Sequence, residues 1–146
     1  MFQFLLTLST FLSPSERAPE VCPCEIILEA TQQEIDAMYR VAYDESGDRT
    51  VLVGLAAPQI GIQKRIILVD IAATGISTTE SKLPPPNIKE FINPEILWRS
   101  ESQSLAKVLI KAYDRQGNII TREYEGYVAR IFQDEIDHLD GIQSPE

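Results

Sequence analysis

What this chain has little of narrows it before any motif is read. Its two cysteines, Cys22 and Cys24, are too few for a disulfide scaffold. No apolar run approaches the ~20 residues that a bilayer-spanning helix needs. Basic residues are outnumbered, 13 Lys and Arg against 22 Asp and Glu, for a formal charge of −9. An acidic chain repels phosphate backbones, which argues against DNA and general nucleic-acid binding. Disorder of the whole is excluded as well, because 44% hydrophobic residues in 146 can fill one core, and two independent ones would be cramped. The expectation is a single domain over residues 1–146, acidic and outside the membrane.

The opening segment Phe2 to Leu12 has the length of a signal-peptide hydrophobic region. It lacks the positively charged stretch and the Ala-x-Ala site that go with one, so it is expected to be a strand or packing segment of a cytoplasmic protein. Thr31-Gln32-Gln33-Glu34 reads as a capping box, and Ile35, Met38, Tyr39 and Ala42 follow at helical spacing, which predicts a helix over 31–45. Arg65 to Ile71 is short and β-branched, a buried strand. Phe91-Ile92-Asn93-Pro94 and Ile96-Leu97-Trp98 suggest a strand interrupted by a turn. Val108 to Tyr113 and Ile119 to Tyr124 flank the turn residues 114–118 and predict a hairpin. From Gly126, the stripe Tyr127, Val128, Ile131, Phe132, Glu135, Ile136 and Leu139 predicts a second helix that stops at Asp140-Gly141. Helix, strands, hairpin and helix make the class α+β.

Chemistry concentrates in that last helix. Asp134 and His138 are four residues apart, so both project from one face and could share a metal, with Glu135 beside them where a general base stands in H-E-x-x-H proteins. Spacing alone leaves a plainer reading open: several acidic residues around one histidine also make a solvated face.

Two further segments add to it. Gly54-Leu55-Ala56-Ala57-Pro58-Gln59-Ile60-Gly61 resembles the first signature of the peptide deformylases, G-x-G-x-A-A-P-Q. Phe91 to Ile96 resembles that family's I-N-P-x-I strand, and Gln133 to Gly141 its Q-H-E-x-D-H-L-D-G signature. Three matches in the family's order, within a likeness running from about Ala18 to Ile142, identify the chain as a divergent member, similar in length to the short phage-type forms.

The resemblance implies the deformylase fold, with antiparallel or mixed sheets around a C-terminal metal-site helix. It implies one divalent ion (Fe2+, Zn2+ or Ni2+) held by a cysteine and two histidines. Water activated there would remove formyl from the N-terminal methionine of nascent peptides, at the ribosome exit and from a monomeric enzyme. Carried over residue by residue, His138 matches a ligand, Glu135 the general acid–base, and Gln59 the oxyanion donor, a role worth ~3 kcal/mol. Gly54, Leu55 and Ala56 match the cleft wall, with Ser104, Tyr127, Arg130 and Ile131 as further substrate contacts.

The departures are specific. Asp134 stands at a ligand histidine, and Gln103, within Glu101-Ser102-Gln103-Ser104, stands where the cysteine of E-G-C-x-S belongs. An amide oxygen brings neither the charge nor the softness of a thiolate. Leu52 replaces the first glycine of the first signature, and Arg130 an apolar pocket residue, either as a snorkelling surface arginine or as a polar pocket wall. Cys22 and Cys24 match no ligand position and are expected as small core or loop residues. A second expectation therefore stands beside the hydrolase: a catalytically impaired homologue that binds peptide N-termini with little or no metal.

Overall fold

The computed structural model describes residues 16–47, 49–76, 84–100 and 106–142. The opening segment Phe2 to Leu12 lies outside them. Five strands form one sheet in the order β1 (Gly54–Ala56), β2 (Ile66–Asp70), β3 (Ile88–Arg99), β4 (Lys107–Tyr113) and β5 (Ile119–Glu125), every neighbouring pair antiparallel. Helices α1 (Glu29–Ala42) and α2 (Tyr127–Leu139) pack against the sheet, and each has its own buried cluster. This is the α+β class expected.

The continuous apolar run of β2 follows from having both faces covered. Ile66 and Leu68 join the cluster with Ile35 and Met38 of α1. Ile67 and Val69 point the other way, to Val128, Phe132 and Ile136 of α2. On the α2 side, Phe91, Tyr124 and Phe132 pack ring against ring at centroid distances of 4.6 to 6.1 Å.

Three local expectations are corrected. α1 starts at Glu29, not Thr31, and no side chain caps it. Thr31 is buried within the helix, and the Gln32 side chain donates instead to the carbonyls of Ile26 and Arg115, so the capping box does not form. The helix ends at Ala42 rather than 45, where Tyr43 turns extended. The two pieces around Asn93-Pro94 are one strand, not two. Asn93 takes φ +53° beside a break in the β3–β4 register, so the chain absorbs the irregularity as a bulge and continues.

Candidate active site

The apolar stretch that leads into Pro58 contributes only three residues to the sheet, and their sizes alternate: Gly54, Leu55, Ala56. Side chains along a strand point to opposite faces. Leu55 goes to the α1 cluster and Ala56 to the α2 cluster, so Gly54 shares the α2 side. A Cβ at Gly54 would lie 2.7 Å from Ile131 Cγ2 and 2.8 Å from Glu135 Oε2. A missing side chain is therefore what lets α2 come down on the edge strand with Glu135 facing it.

Glu135 is buried, and its Oε1 has no hydrogen-bond partner among the described residues. Burial, with a smaller contribution from Asp134, pushes its pKa up to about 8. The solvated-face reading thus holds for exposed Asp134 and fails for Glu135. His138 is half-buried, and burial lowers its pKa against the opposing pull of Asp134 and Asp137. Asp134 is close enough to act on both neighbours, Glu135 and His138.

Gln59 sits in the 3-10 turn Ala57–Ile60 that follows β1, and α2 packs against both elements. Its Oε1 accepts the Ala56 N–H at 2.8 Å. That bond occupies the carbonyl end of the amide, so the Nε2 hydrogens are the end open to a ligand. The signature segment and the D-E-x-x-H helix are thereby brought together, one contact being that of Gly54 with Glu135.

The other expected site residues are placed as follows. The side chains of Leu55 and Ala56 are core, so what they can offer a ligand is the outer backbone edge of β1, which ends the sheet. Tyr127 is 39% exposed and stacks over Gly75, where a Cβ would meet its ring at 2.8 Å. Arg130 is exposed and Ile131 buried. Gln103 and Ser104 lie outside the described residues.

Two positions of this helix carry residue types that suit a metal. A carboxylate and an imidazole one turn apart suit a divalent cation, and Glu135, with its orphaned oxygen, lies between Asp134 and His138 in the sequence. Among the described residues no group of three or more His, Cys, Asp or Glu side chains gathers to hold an ion. Sulfur is missing from the set: Cys22 and Cys24 lie exposed in a separate turn, so the loop half of their expectation holds and the core half does not.

Sequence reasoning missed Arg65. Buried just ahead of β2, it donates from Nη1 to the carbonyls of Ala18 and Leu139 and pairs through Nη2 with Asp140 at 2.8 Å. It clasps the C-terminal end of the helix that carries His138, where a cation also complements the helix dipole. Its only sequence signal was a charge abutting an apolar strand.

Comparison with known proteins bears on the fold and the family. The polypeptide deformylase family model matches residues 15–107 and 104–145. A peptide deformylase of Halothermothrix orenii is 36% identical over 138 residues, covering 82% of this chain and 79% of its own. Peptide deformylase 1 of Clostridium perfringens is 35% identical over 125 residues, with 74% of each chain covered. Among solved structures, the actinonin-bound class I type b peptide deformylase of Acinetobacter baumannii superimposes with a TM-score of 0.71 at 30% identity, covering 90% of this chain and 89% of that one.

Proposed function

Since the chain belongs to the polypeptide deformylase family, we propose that it is a deformylase-like hydrolase that removes formyl from the N-terminal methionine of nascent peptides. The observation that carries this reading is the unpartnered Oε1 of Glu135, buried where α2 meets the segment ending in Gln59. Leaving such an oxygen without a partner costs about 1–3 kcal/mol. A group kept at that cost is free to bond a reactant.

The family is metal-dependent. Asp134 and His138 would hold the ion, Fe2+, Zn2+ or Ni2+, with Gln103 or water completing its shell. When bound, the ion supplies a polarised water whose pKa is drawn down to ~7. With the charge of a bound cation favouring its ionised form, Glu135 would take a proton from the attacking water and return it to the amide nitrogen as the C–N bond breaks, a role worth ~10²–10⁴-fold in rate. Gln59 donates from Nε2 to the oxygen on which negative charge develops. An extended peptide backbone pairs with the open edge of β1, and Tyr127, Arg130 and Ile131 flank the methionine side chain. Formate and a free amino terminus leave. The setting is the cytoplasm, where nascent chains emerge, and the working unit is the monomer.

The test uses the whole chain loaded in turn with Fe2+, Zn2+ and Ni2+ and given a formyl-methionyl tripeptide. Formate release is expected with at least one ion, and Glu135→Gln is expected to lower kcat by ~100-fold or more. The double change Asp134→His with Gln103→Cys is expected to raise metal content. Folded protein that releases no formate with any of the three ions overturns the hydrolase, and peptide retained without turnover would then mark the impaired homologue.

A further inference from the structure

Cys22 and Cys24 take no part in the proposed hydrolysis, yet they are not placed as two idle surface thiols. Their sulfurs lie 3.0 Å apart, either able to donate to the other, and both residues are exposed. The backbone between them is pinned at both ends. On one side buried Val21 exchanges two hydrogen bonds with the Asn93 side chain, its N–H donating to Oδ1 at 2.8 Å and its carbonyl accepting from Nδ2 at 2.7 Å. On the other side Ile26 is fully buried, and its carbonyl accepts from Gln32 Nε2 at 2.7 Å. Between the anchors, the Glu25 N–H donates to the Cys22 carbonyl at 2.8 Å, closing a 3-10 turn in which Pro23 holds its own φ. Folding has therefore already met the entropic cost of bringing the sulfurs together, the condition under which an intramolecular step outruns an intermolecular one.

We infer that Cys22 and Cys24 form a reversible dithiol–disulfide couple that exchanges with small-molecule disulfides of the glutathione class. One cysteine, as thiolate, attacks a sulfur of the small disulfide RSSR. A protein–S–SR bond forms, the RS–SR bond breaks, and RS⁻ leaves and takes up a proton. The second cysteine, deprotonated in turn, attacks the protein sulfur of that mixed disulfide and expels the other RS⁻. The protein loses two electrons and two protons, and RSSR gains them as two RSH. Closure brings the sulfurs from 3.0 Å to the ~2.05 Å of a bond, a movement of side chains within pinned backbone. The Cys22 sulfur raises the pKa of Cys24, which leaves less of it as thiolate near neutrality. Exposure puts the couple among labile disulfides and not structural ones.

The test equilibrates the whole chain in buffers of reduced and oxidised glutathione, blocks free thiols by alkylation and weighs the intact protein. With only two cysteines in the sequence, every species is assignable. The expected result is one transition in which both thiols become protected together, two hydrogens are lost from the monomer, and dithiothreitol restores them. In Cys22→Ser and in Cys24→Ser, the single remaining thiol is expected to stop at a persistent glutathione adduct, which the parent chain does not accumulate. Two thiols that stay alkylatable across the whole range, or a parent chain that ends as adducts or as cross-linked dimers, would overturn the couple. Because the readout is mass and not formate, its failure leaves the hydrolase reading untouched.

Discussion

Two charged residues are buried against the same helix, and they are treated in opposite ways. Arg65, at the C-terminal end of α2, spends its guanidinium on the carbonyls of Ala18 and Leu139 and on Asp140. Glu135, one turn back, keeps an oxygen with no partner among the described residues. Burying a charge is costly unless it is paired. The arginine meets that condition and joins the N-terminal segment, β2 and the end of α2. The glutamate finds no such partner among the described residues and is held in its neutral form instead, and on the proposed reading a substrate would supply the missing bond. The contrast separates a residue that holds the site from one that is held ready in it.

The largest expected effect breaks the paired side. Arg65→Met takes its donor from the Ala18 carbonyl and strips one partner each from the Leu139 carbonyl, which keeps the Ala18 N–H, and from Asp140, which keeps Arg17. It is expected to cost about 3 kcal/mol, the lower part of the range for a broken buried pair because Asp140 is one-third exposed and keeps a second cation. Chemical denaturation reads this directly, and a cost below 1 kcal/mol would mean the clasp is incidental.

The unpaired side gives a pH dependence. Folded Glu135 keeps its proton up to about 8, whereas the unfolded chain gives it up near the ordinary carboxyl value, so unfolding releases a proton in between. The glutamate's contribution is complete in acid and is lost as pH rises toward 8. In chelator-treated protein, Glu135→Gln is therefore expected to gain stability on the parent across that window, the difference widening steadily toward pH 8. His138, with its pKa lowered by burial, acts in the opposite sense in both proteins and largely cancels in the difference. A parent and variant that run parallel from pH 5 to pH 8 would show that Glu135 is solvated after all.

Gly54→Ala presses on the same chamber from the strand side. Its methyl would meet Ile131 and Glu135 at 2.7 to 2.8 Å, and the overpacking is expected to cost about 1–2 kcal/mol and to lower formate release along with stability. Smallest is Tyr39→Phe, which removes the phenol's bond to Glu90 in the half-buried group that ties α1 to β3. A loss of about 1 kcal/mol with turnover unchanged is expected, since this group lies on the α1 side of the sheet.

Much of the architecture was legible because local pattern and tertiary demand agree. The α2 stripe, its stop at Gly141 with φ +76°, and the β4–β5 hairpin came out where periodicity and turn residues put them. The errors fall where distant partners intervene. Thr31 looked like a cap and is buried, because Gln32 is drawn off to Ile26 and to Arg115 on the hairpin turn. Asn93-Pro94 looked like a turn and is a bulge, held by Val21 from 72 residues away. Glu135 stood on the apolar stripe that predicted α2, and it could equally be read as one acid among several on a wet face. Nothing in its neighbours along the chain says that a glycine on another strand leaves room to bury it.

Taken alone, the order of residues determined the helix and strand periods, the acidic balance, and the three segments that match the family signatures. Each of these is a property of spacing along the chain. Tertiary structure decided which acid is dry, which arginine is the clasp, and that two cysteines share one arch with their sulfurs in contact. Burial and effective concentration are set by what packs against a group from elsewhere, and that comes into being only when the sheet and its two helices close on one another.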